Sequence, residues 1–261
     1  YAVAPQLFQD LGAQVKALHI QPDGKNINAG CGSEHPETLI DAVLKKKADI
    51  GLAFDGDGDR LVAVDEKGQV ISGDRTLAIC ALSLMRKGLL KNNLVVSTVM
   101  SNLGLRLALK DLGINHLMAQ VGDRYVLEQM NANGAIIGGE DSGHMIFLDQ
   151  HTTGDGMLAA IRLIQTICEE NKPLSELSRV MNAFPQVLLN IDVQKKPAIE
   201  DVPEIMAAIR SVEDCLGEQG RVLVRYSGTQ PLCRVMVEGP EEDETRRYCQ
   251  QIADVVKATL G

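Results

Sequence analysis

At 261 residues, with 45% apolar and 23% charged residues, the chain has the composition of a globular protein of one to three domains. A net charge of −9 argues against a nucleic-acid partner, whose phosphates it would repel, but not against small phosphorylated ligands held in a local cationic pocket. No apolar run approaches the about 20 residues needed to cross a bilayer, so no membrane span is expected.

The chain opens on Tyr1 and reads as helix over residues 5–12 almost at once, which suggests a piece of a longer protein. No basic-then-hydrophobic leader is seen, and a cytoplasmic location is expected. The six cysteines are scattered without a C-x-x-C pair, as for reduced, mostly buried thiols. A strand is predicted over Ala13 to Ile20, then a Gly/Asn-rich connection (23–33) and a helix around 36–47.

Ala48–Phe54 and Leu61–Asp65 read as two strands joined by Asp55-Gly56-Asp57-Gly58-Asp59-Arg60. Three carboxylates at alternate positions, separated only by glycine, repel one another unless a cation sits among them. Hard divalent cations favour such all-oxygen ligands. Asp55, Asp57 and Asp59 are therefore candidate ligands of a magnesium-type site, with Arg60 beside them as a phosphate ligand. An EF-hand competes, because acids fall at the first, third and fifth positions and Glu66 at the twelfth. It is disfavoured: Arg60 stands where the loop needs glycine, and the flanks read as strands instead of helices. A solvated acidic turn without an ion is the plain alternative.

Further on we predict a helix over 74–87, a strand over 94–98, a helix over 103–112 stopped by Gly113, and a strand over 116–120. A helix over 123–131 follows, then paired strands at 135–138 and 145–148 and a helix over 156–169. Between the paired strands lies Gly138-Gly139-Glu140-Asp141-Ser142-Gly143-His144. Glu140, Ser142 and His144 alternate, so they can project to one side and grip sugar hydroxyls, and His144 or Glu140 can move a proton. A polar hairpin that contacts nothing is the alternative. Asp123, before a helix, reads as an N-cap, and the polar, glycine-rich His151-Thr152-Thr153-Gly154-Asp155-Gly156 before another helix reads as capping too. His19, His35 and His116 are isolated and read as structural.

Phe184-Pro185 breaks the alternation. Strand 186–193, helix 202–217, strands 221–227 and 232–239 and helix 241–260 describe a small α+β domain with an antiparallel sheet, and Lys195–Asp201 reads as an exposed loop. Arg225-Tyr226-Ser227-Gly228-Thr229-Gln230-Pro231, followed by Arg234, offers hydroxyl, backbone N–H and guanidinium donors for an anion. An ordinary hairpin with surface arginines is the competing reading. The fold class expected is α/β: two α/β domains (1–73, 74–182), then an α+β phosphate-binding domain (183–261).

These three loops, in this order and one per domain, resemble those of the α-D-phosphohexomutase superfamily over essentially the whole chain. Asn26-Ile27-Asn28, Cys31-Gly32-Ser33-Glu34-His35-Pro36-Glu37, Val121-Gly122-Asp123-Arg124-Tyr125-Val126 and Thr152-Thr153-Gly154-Asp155-Gly156 point to its aminosugar branch. The resemblance implies that Asp55, Asp57 and Asp59 hold Mg²⁺ together with a phosphoserine oxygen, and that Arg60 and His144 serve catalysis. It places Glu140, Ser142 and Arg124 against the sugar, and Arg225, Ser227, Gly228, Thr229 and Arg234 around the non-reacting phosphate. The activity implied is exchange of glucosamine 6-phosphate and glucosamine 1-phosphate through a bisphosphate, toward cell-wall precursors.

Two departures accompany the resemblance. Gln230 stands where the family commonly has Glu, and no S-H-N-P serine loop occurs in the sequence. Ser142 and Ser227 already have binding roles, so this polypeptide alone is expected not to complete the phosphoryl cycle. The partners expected are a hexosamine phosphate, an N-terminal domain of the same protein and a second copy in a homodimer. Glucose or mannose phosphates as substrate, or a non-catalytic phosphosugar-binding module, are the alternatives.

Overall fold

A computed structural model describes all residues, Tyr1–Gly261. The chain divides into two compact units, Tyr1–Ser101 with Leu105–Asn182, and Asn102–Gly104 with Ala183–Gly261.

The first unit opens with helices α1 (Val3–Asp10) and α2 (Glu37–Lys46). Strands β1 (Ile50–Phe54), β2 (Leu61–Asp65) and β3 (Val70–Ile71) follow as an antiparallel meander in the order β1-β2-β3. The register pairs Phe54 with Leu61, so the six residues between them form the tip of a hairpin. Gly51 lets α2 lie close on β1, since a Cβ there would sit 2.7 Å from Val43 Cγ2. All of β2 is buried: Leu61–Val64 is apolar, and the buried Asp65 accepts from the N–H groups of Lys67 and Gln69 at 2.9 and 2.8 Å.

Helix α3 (Gly73–Arg86) is capped by Ser72 and crosses to a second, four-stranded sheet. That sheet is built from β4 (Leu94–Thr98), β5 (Asn115–Ala119), β6 (Ile137–Gly139) and β7 (Met145–Phe147), with helices α4 (Leu103–Asp111) and α5 (Asp123–Asn133) in the connections. The order is β5-β4-β6-β7, with β4 parallel to β5 and β6, and β7 antiparallel at the edge. Parallel neighbours need crossover helices, which α4 and α5 supply. Helices α6 (Gly156–Glu170) and the short α7 (Leu174–Leu177) close the unit. One apolar core unites the two sheets, from Phe8 through Leu61, Ile71, Leu105, Met145, Phe147 and Leu163 to Met181.

The second unit has an antiparallel sheet ordered β8-β10-β9, formed by β8 (Gln186–Asp192), β9 (Arg221–Tyr226) and β10 (Leu232–Glu238). Helices α8 (Pro203–Leu216) and α9 (Glu242–Leu260) cover it. Its core joins Ile191, Ile205, Val212, Val235, Ile252 and Val256. The expected α/β architecture, followed by an α+β module with an antiparallel sheet, is therefore present.

Three expectations fail locally. Ala13 to Ile20 forms no strand: it pairs with nothing, its residues are largely exposed, and His19 takes a left-handed φ of 51°. A strand exists by virtue of its ladder partner, and alternation in sequence cannot supply one. Asp123 is not an N-cap; Gly122 holds that place and Asp123 begins the helix. The six cysteines are all free, but only Cys80, Cys233 and Cys249 are buried, whereas Cys168 and Cys215 are exposed. Asp155 does cap its helix, accepting from the N–H groups of Met157 and Leu158 at 2.9 and 3.0 Å.

Candidate functional site

The aspartate loop is shaped by its own backbone. Gly58, at φ 76°, donates to the Asp55 carbonyl at 3.2 Å, and the Arg60 N–H donates to Asp55 Oδ1 at 3.2 Å. The turn gathers one carboxylate oxygen from each of Asp55, Asp57 and Asp59 within 4.8 Å of one another. Asp59 Oδ1 is shielded from solvent yet accepts no hydrogen bond. An ionised oxygen held dry without a donor is unfavourable, and a cation satisfies it. The three residues thus fit a hard divalent ion. Arg60 reaches toward Asp55 and Asp59 at 3.7 and 3.9 Å and toward Glu34 at 3.9 Å, long contacts that leave the half-exposed guanidinium able to bind an anion. The Gly/Asn-rich connection packs from outside: a Cβ on Gly56 would strike Ile27 at 2.5 Å. The EF-hand reading ends here, because the flanks are strands and Glu66 is engaged elsewhere, accepting from the Ser175 hydroxyl and N–H.

The second loop lies directly beneath the first. Leu61 N–H donates to the Gly143 carbonyl at 3.1 Å, and Arg60 and His144 form an isolated antiparallel bridge. Contact this close needs residues without side chains. Gly143 has φ 93°, and a Cβ on it would lie 2.1 Å from the Leu61 oxygen. A Cβ on Gly154 would meet His144 Nε2 at 2.1 Å, and one on Gly156 the Arg60 oxygen at 2.5 Å. Gly156 N–H also donates to the Gly58 carbonyl at 3.0 Å, tying the start of α6 to the aspartate loop. Gly143→Ala is therefore expected to destabilise the chain by at least about 2 kcal/mol through overpacking and backbone strain. A urea midpoint indistinguishable from that of the parent chain, at unchanged slope, would remove the glycine junction as a constraint.

The junction buries His144 and leaves its Nε2 3.4 Å from Asp59 Oδ2, with Nδ1 making no hydrogen bond. The extended alternation expected for Glu140, Ser142 and His144 is replaced by a tight turn, in which Gly143 N–H donates to the Glu140 carbonyl at 2.9 Å. Ser142 is exposed at its tip. Glu140 Oε1 accepts from Gly122 N–H at 3.0 Å, linking this loop to the start of α5. Arg124, the second residue of α5, is exposed and pairs with Glu128 at 2.8 Å. A cavity of about 200 Å³ elsewhere in this unit, lined by Lys67, Arg75 and Arg179 among others, shares no residue with these loops.

The third loop belongs to the second unit. Antiparallel register sets Arg225 directly opposite Arg234, so both guanidinium groups rise from one face of the sheet. Burial and the neighbouring Arg234 push the Arg225 guanidinium below its ordinary pKa. Arg234 Nε is buried without a hydrogen-bond partner. Like charges facing each other across a ladder are destabilising, and an anion between them reverses the sign. The connecting turn is held by Ser227 N–H to the Leu232 carbonyl at 2.9 Å and Gln230 N–H to Ser227 Oγ at 3.3 Å. Gly228 and Thr229 stand exposed at the tip. Sequence reading did not foresee Lys196, which donates to the carbonyls of Ser227 and Gln230 at 2.8 Å each.

In class, this is a chain of tandem α/β sheets closed by an α+β module, with polar Gly-rich loops at the strand ends. The phosphoglucomutase/phosphomannomutase family models match it in series: alpha/beta/alpha domain II over residues 1–68, alpha/beta/alpha domain III over 72–184 and the C-terminal domain over 188–255. The chain belongs to the phosphoglucomutase/phosphomannomutase family. It is 61% identical to a phosphoglucosamine mutase of Syntrophus aciditrophicus and 60% identical to one of Syntrophobacter fumaroxidans, each across the whole chain. It spans 58% of the length of those curated relatives. A family protein from Burkholderia thailandensis has the same fold at a TM-score of 0.79, with 26% identity over 98% of this chain and 57% of that one. An N-acetylphosphoglucosamine mutase of Aspergillus fumigatus, solved with GlcNAc-6P and magnesium, shares the fold at 0.70 with 19% identity, over 90% of this chain and 54% of that one. No helix is long and apolar enough to cross a membrane.

Proposed function

We propose that the chain is the metal-, sugar- and phosphate-binding part of a phosphoglucosamine mutase, which interconverts glucosamine 6-phosphate and glucosamine 1-phosphate through a bisphosphate. The observation that carries this reading is whole-chain identity of 50–61% to several proteins of that name. The fit of the aspartate loop to a cation adds to it. In this reading the domains divide at 73/74 and 182/183, and the protein is cytoplasmic and homodimeric.

Asp55, Asp57 and Asp59 hold Mg²⁺, which neutralises charge on a transferring phosphoryl group. Arg60 orients that group, since a guanidinium suits phosphate oxygens. His144, buried against Asp59, is placed to hold or pass a proton at Nε2. Glu140, Ser142 and Arg124 contact sugar hydroxyls. Arg225, Ser227, Gly228, Thr229 and Arg234 anchor the phosphate that is not reacting, which must be either end of the sugar in turn.

The sequence contains no S-H-N-P loop, so the serine that carries the phosphoryl group is supplied by another part of the protein. Purified as these 261 residues, the chain should bind glucosamine 6-phosphate but show no turnover. The full-length protein should prefer glucosamine phosphates to glucose and mannose phosphates in a coupled assay. Clear preference for mannose would reassign the substrate, and turnover by the 261-residue chain would defeat the account of the nucleophile.

A further inference from the structure

Lys196 lies in an exposed segment, yet its ammonium is fixed. It donates to the carbonyls of Ser227 and Gln230, both at 2.8 Å, and lies 5.9 Å from the Tyr226 ring centroid. One cation thereby closes both ends of the Ser227–Gln230 turn. The peptide joining Ser227 to Gly228 is trans, so its C=O and N–H point in opposite directions. Holding the Ser227 carbonyl on Lys196 turns the Gly228 N–H away from the ammonium. The Gln230 carbonyl also accepts from Leu232 N–H at 2.8 Å, and Pro231 has no N–H to compete. The N–H groups of Ser227, Gln230 and Leu232 are thus spent inside the turn, which leaves those of Gly228 and Thr229 for a ligand. Gly228 is open to approach, since a Cβ there would meet nothing within 4 Å.

We propose that Lys196 is a positioning residue for the anion loop: by holding the Ser227 and Gln230 carbonyls it fixes both ends of the turn and aims the Gly228 N–H, with the unspent Thr229 N–H beside it, at a phosphate monoester lying against Arg225 and Arg234. This deepens the reading of that loop as the phosphate anchor and rests on it. The ligand class is a sugar phosphate or any compact phosphate monoester, because two unspent N–H groups and two guanidiniums complement the oxygens of a terminal phosphate.

The test titrates the 261-residue chain with glucosamine 6-phosphate and with inorganic phosphate by calorimetry, at low salt and at about 1 M salt, where the Debye length is ~3 Å. Lys196→Met keeps an unbranched side chain of similar length and removes the donors. It is expected to weaken both ligands about tenfold. The urea midpoint should stay unchanged, the gap should persist at high salt, and the Gly228 amide resonance should shift in the ligand-free chain. Lys196→Arg, which restores donors, should recover most of the affinity.

Arg234→Ala serves as the control for the anchor itself and should lose more. If Arg234→Ala weakens binding while Lys196→Met does not, the positioning role is overturned and the anchor stands. A gap that closes at high salt would replace positioning by plain charge attraction, and so overturn it too. If neither variant affects phosphate binding, the anchor reading falls and the inference falls with it.

Discussion

Asp57→Asn is expected to weaken Mg²⁺ binding by this chain at least about 10–100-fold, the loss seen even for residues that only orient a metal's ligands. Asp57 is the cleanest member of the triad to change. Asp55 also shapes the turn by accepting the Arg60 N–H, and Asp59 lies against His144. Asp57 is exposed, and its loss leaves those contacts in place. The sign of the stability change then separates a metal ligand from an acidic turn. Without metal the substitution removes like-charge repulsion and should leave the chain as stable or slightly more so. With Mg²⁺ at about 100 times the parent's dissociation constant the parent chain gains ~2.7 kcal/mol, whereas a variant binding about 10–100-fold more weakly gains only ~1.4 to ~0.4 kcal/mol, so their order of stability reverses. Thermal unfolding with and without Mg²⁺, alongside calorimetric titration, reads both effects. A parent chain whose midpoint ignores Mg²⁺, or a variant that binds it equally well, would return the loop to a solvated turn. Tighter binding of Ca²⁺ than of Mg²⁺ would keep the site and change its ion.

Much of this architecture was legible because its signals are local. The hairpin carrying the aspartates follows from two β-rich runs flanking glycines, and Phe54 pairs with Leu61 accordingly. The helices of the second unit, expected over 202–217 and 241–260, form within a residue or two of those bounds. What was not legible depends on register and on distant packing. Nothing local sets Arg225 opposite Arg234; the partnering of β9 with β10 does. Gly154 reads as loop composition, yet its role is set by the His144 ring ten residues away. Lys196 sits in a stretch whose polarity signals only exposure, while its two acceptors lie more than thirty residues on. The failure at Ala13 to Ile20 has the same origin: its apolar alternation is genuine, but no neighbouring strand takes it up.

Glu238→Ala is expected to destabilise the second unit by about 3–5 kcal/mol, the range for removing one partner of a buried ion pair. Glu238 ends the central strand, is fully buried, and in register lies between Gln186 and Arg221. Its Oε1 accepts from Asn102 Nδ2 at 3.2 Å and Gln186 Nε2 at 2.8 Å. Its Oε2 accepts from Leu103 N–H at 3.0 Å and from Arg221 Nε. All four neighbours are donors, and this makes the isosteric amide a poor substitute. Whichever way Glu238→Gln sets its NH₂, that group faces two N–H donors. Gln186 can turn its own amide to accept, but Asn102 cannot: its Oδ1 already accepts from Gly104 and Phe184 N–H at 2.9 Å each. Glu238→Gln should therefore still cost about 1–3 kcal/mol, the penalty of leaving a buried polar group unsatisfied. Gln186→Ala removes only one of four donors to a carboxylate that keeps the rest, and should cost about 1 kcal/mol or less. Urea unfolding of the three variants should give that order. A Glu238→Gln variant as stable as the parent would show that the cluster tolerates a fifth donor, contradicting the geometry that binds Asn102 and Leu103 into this unit.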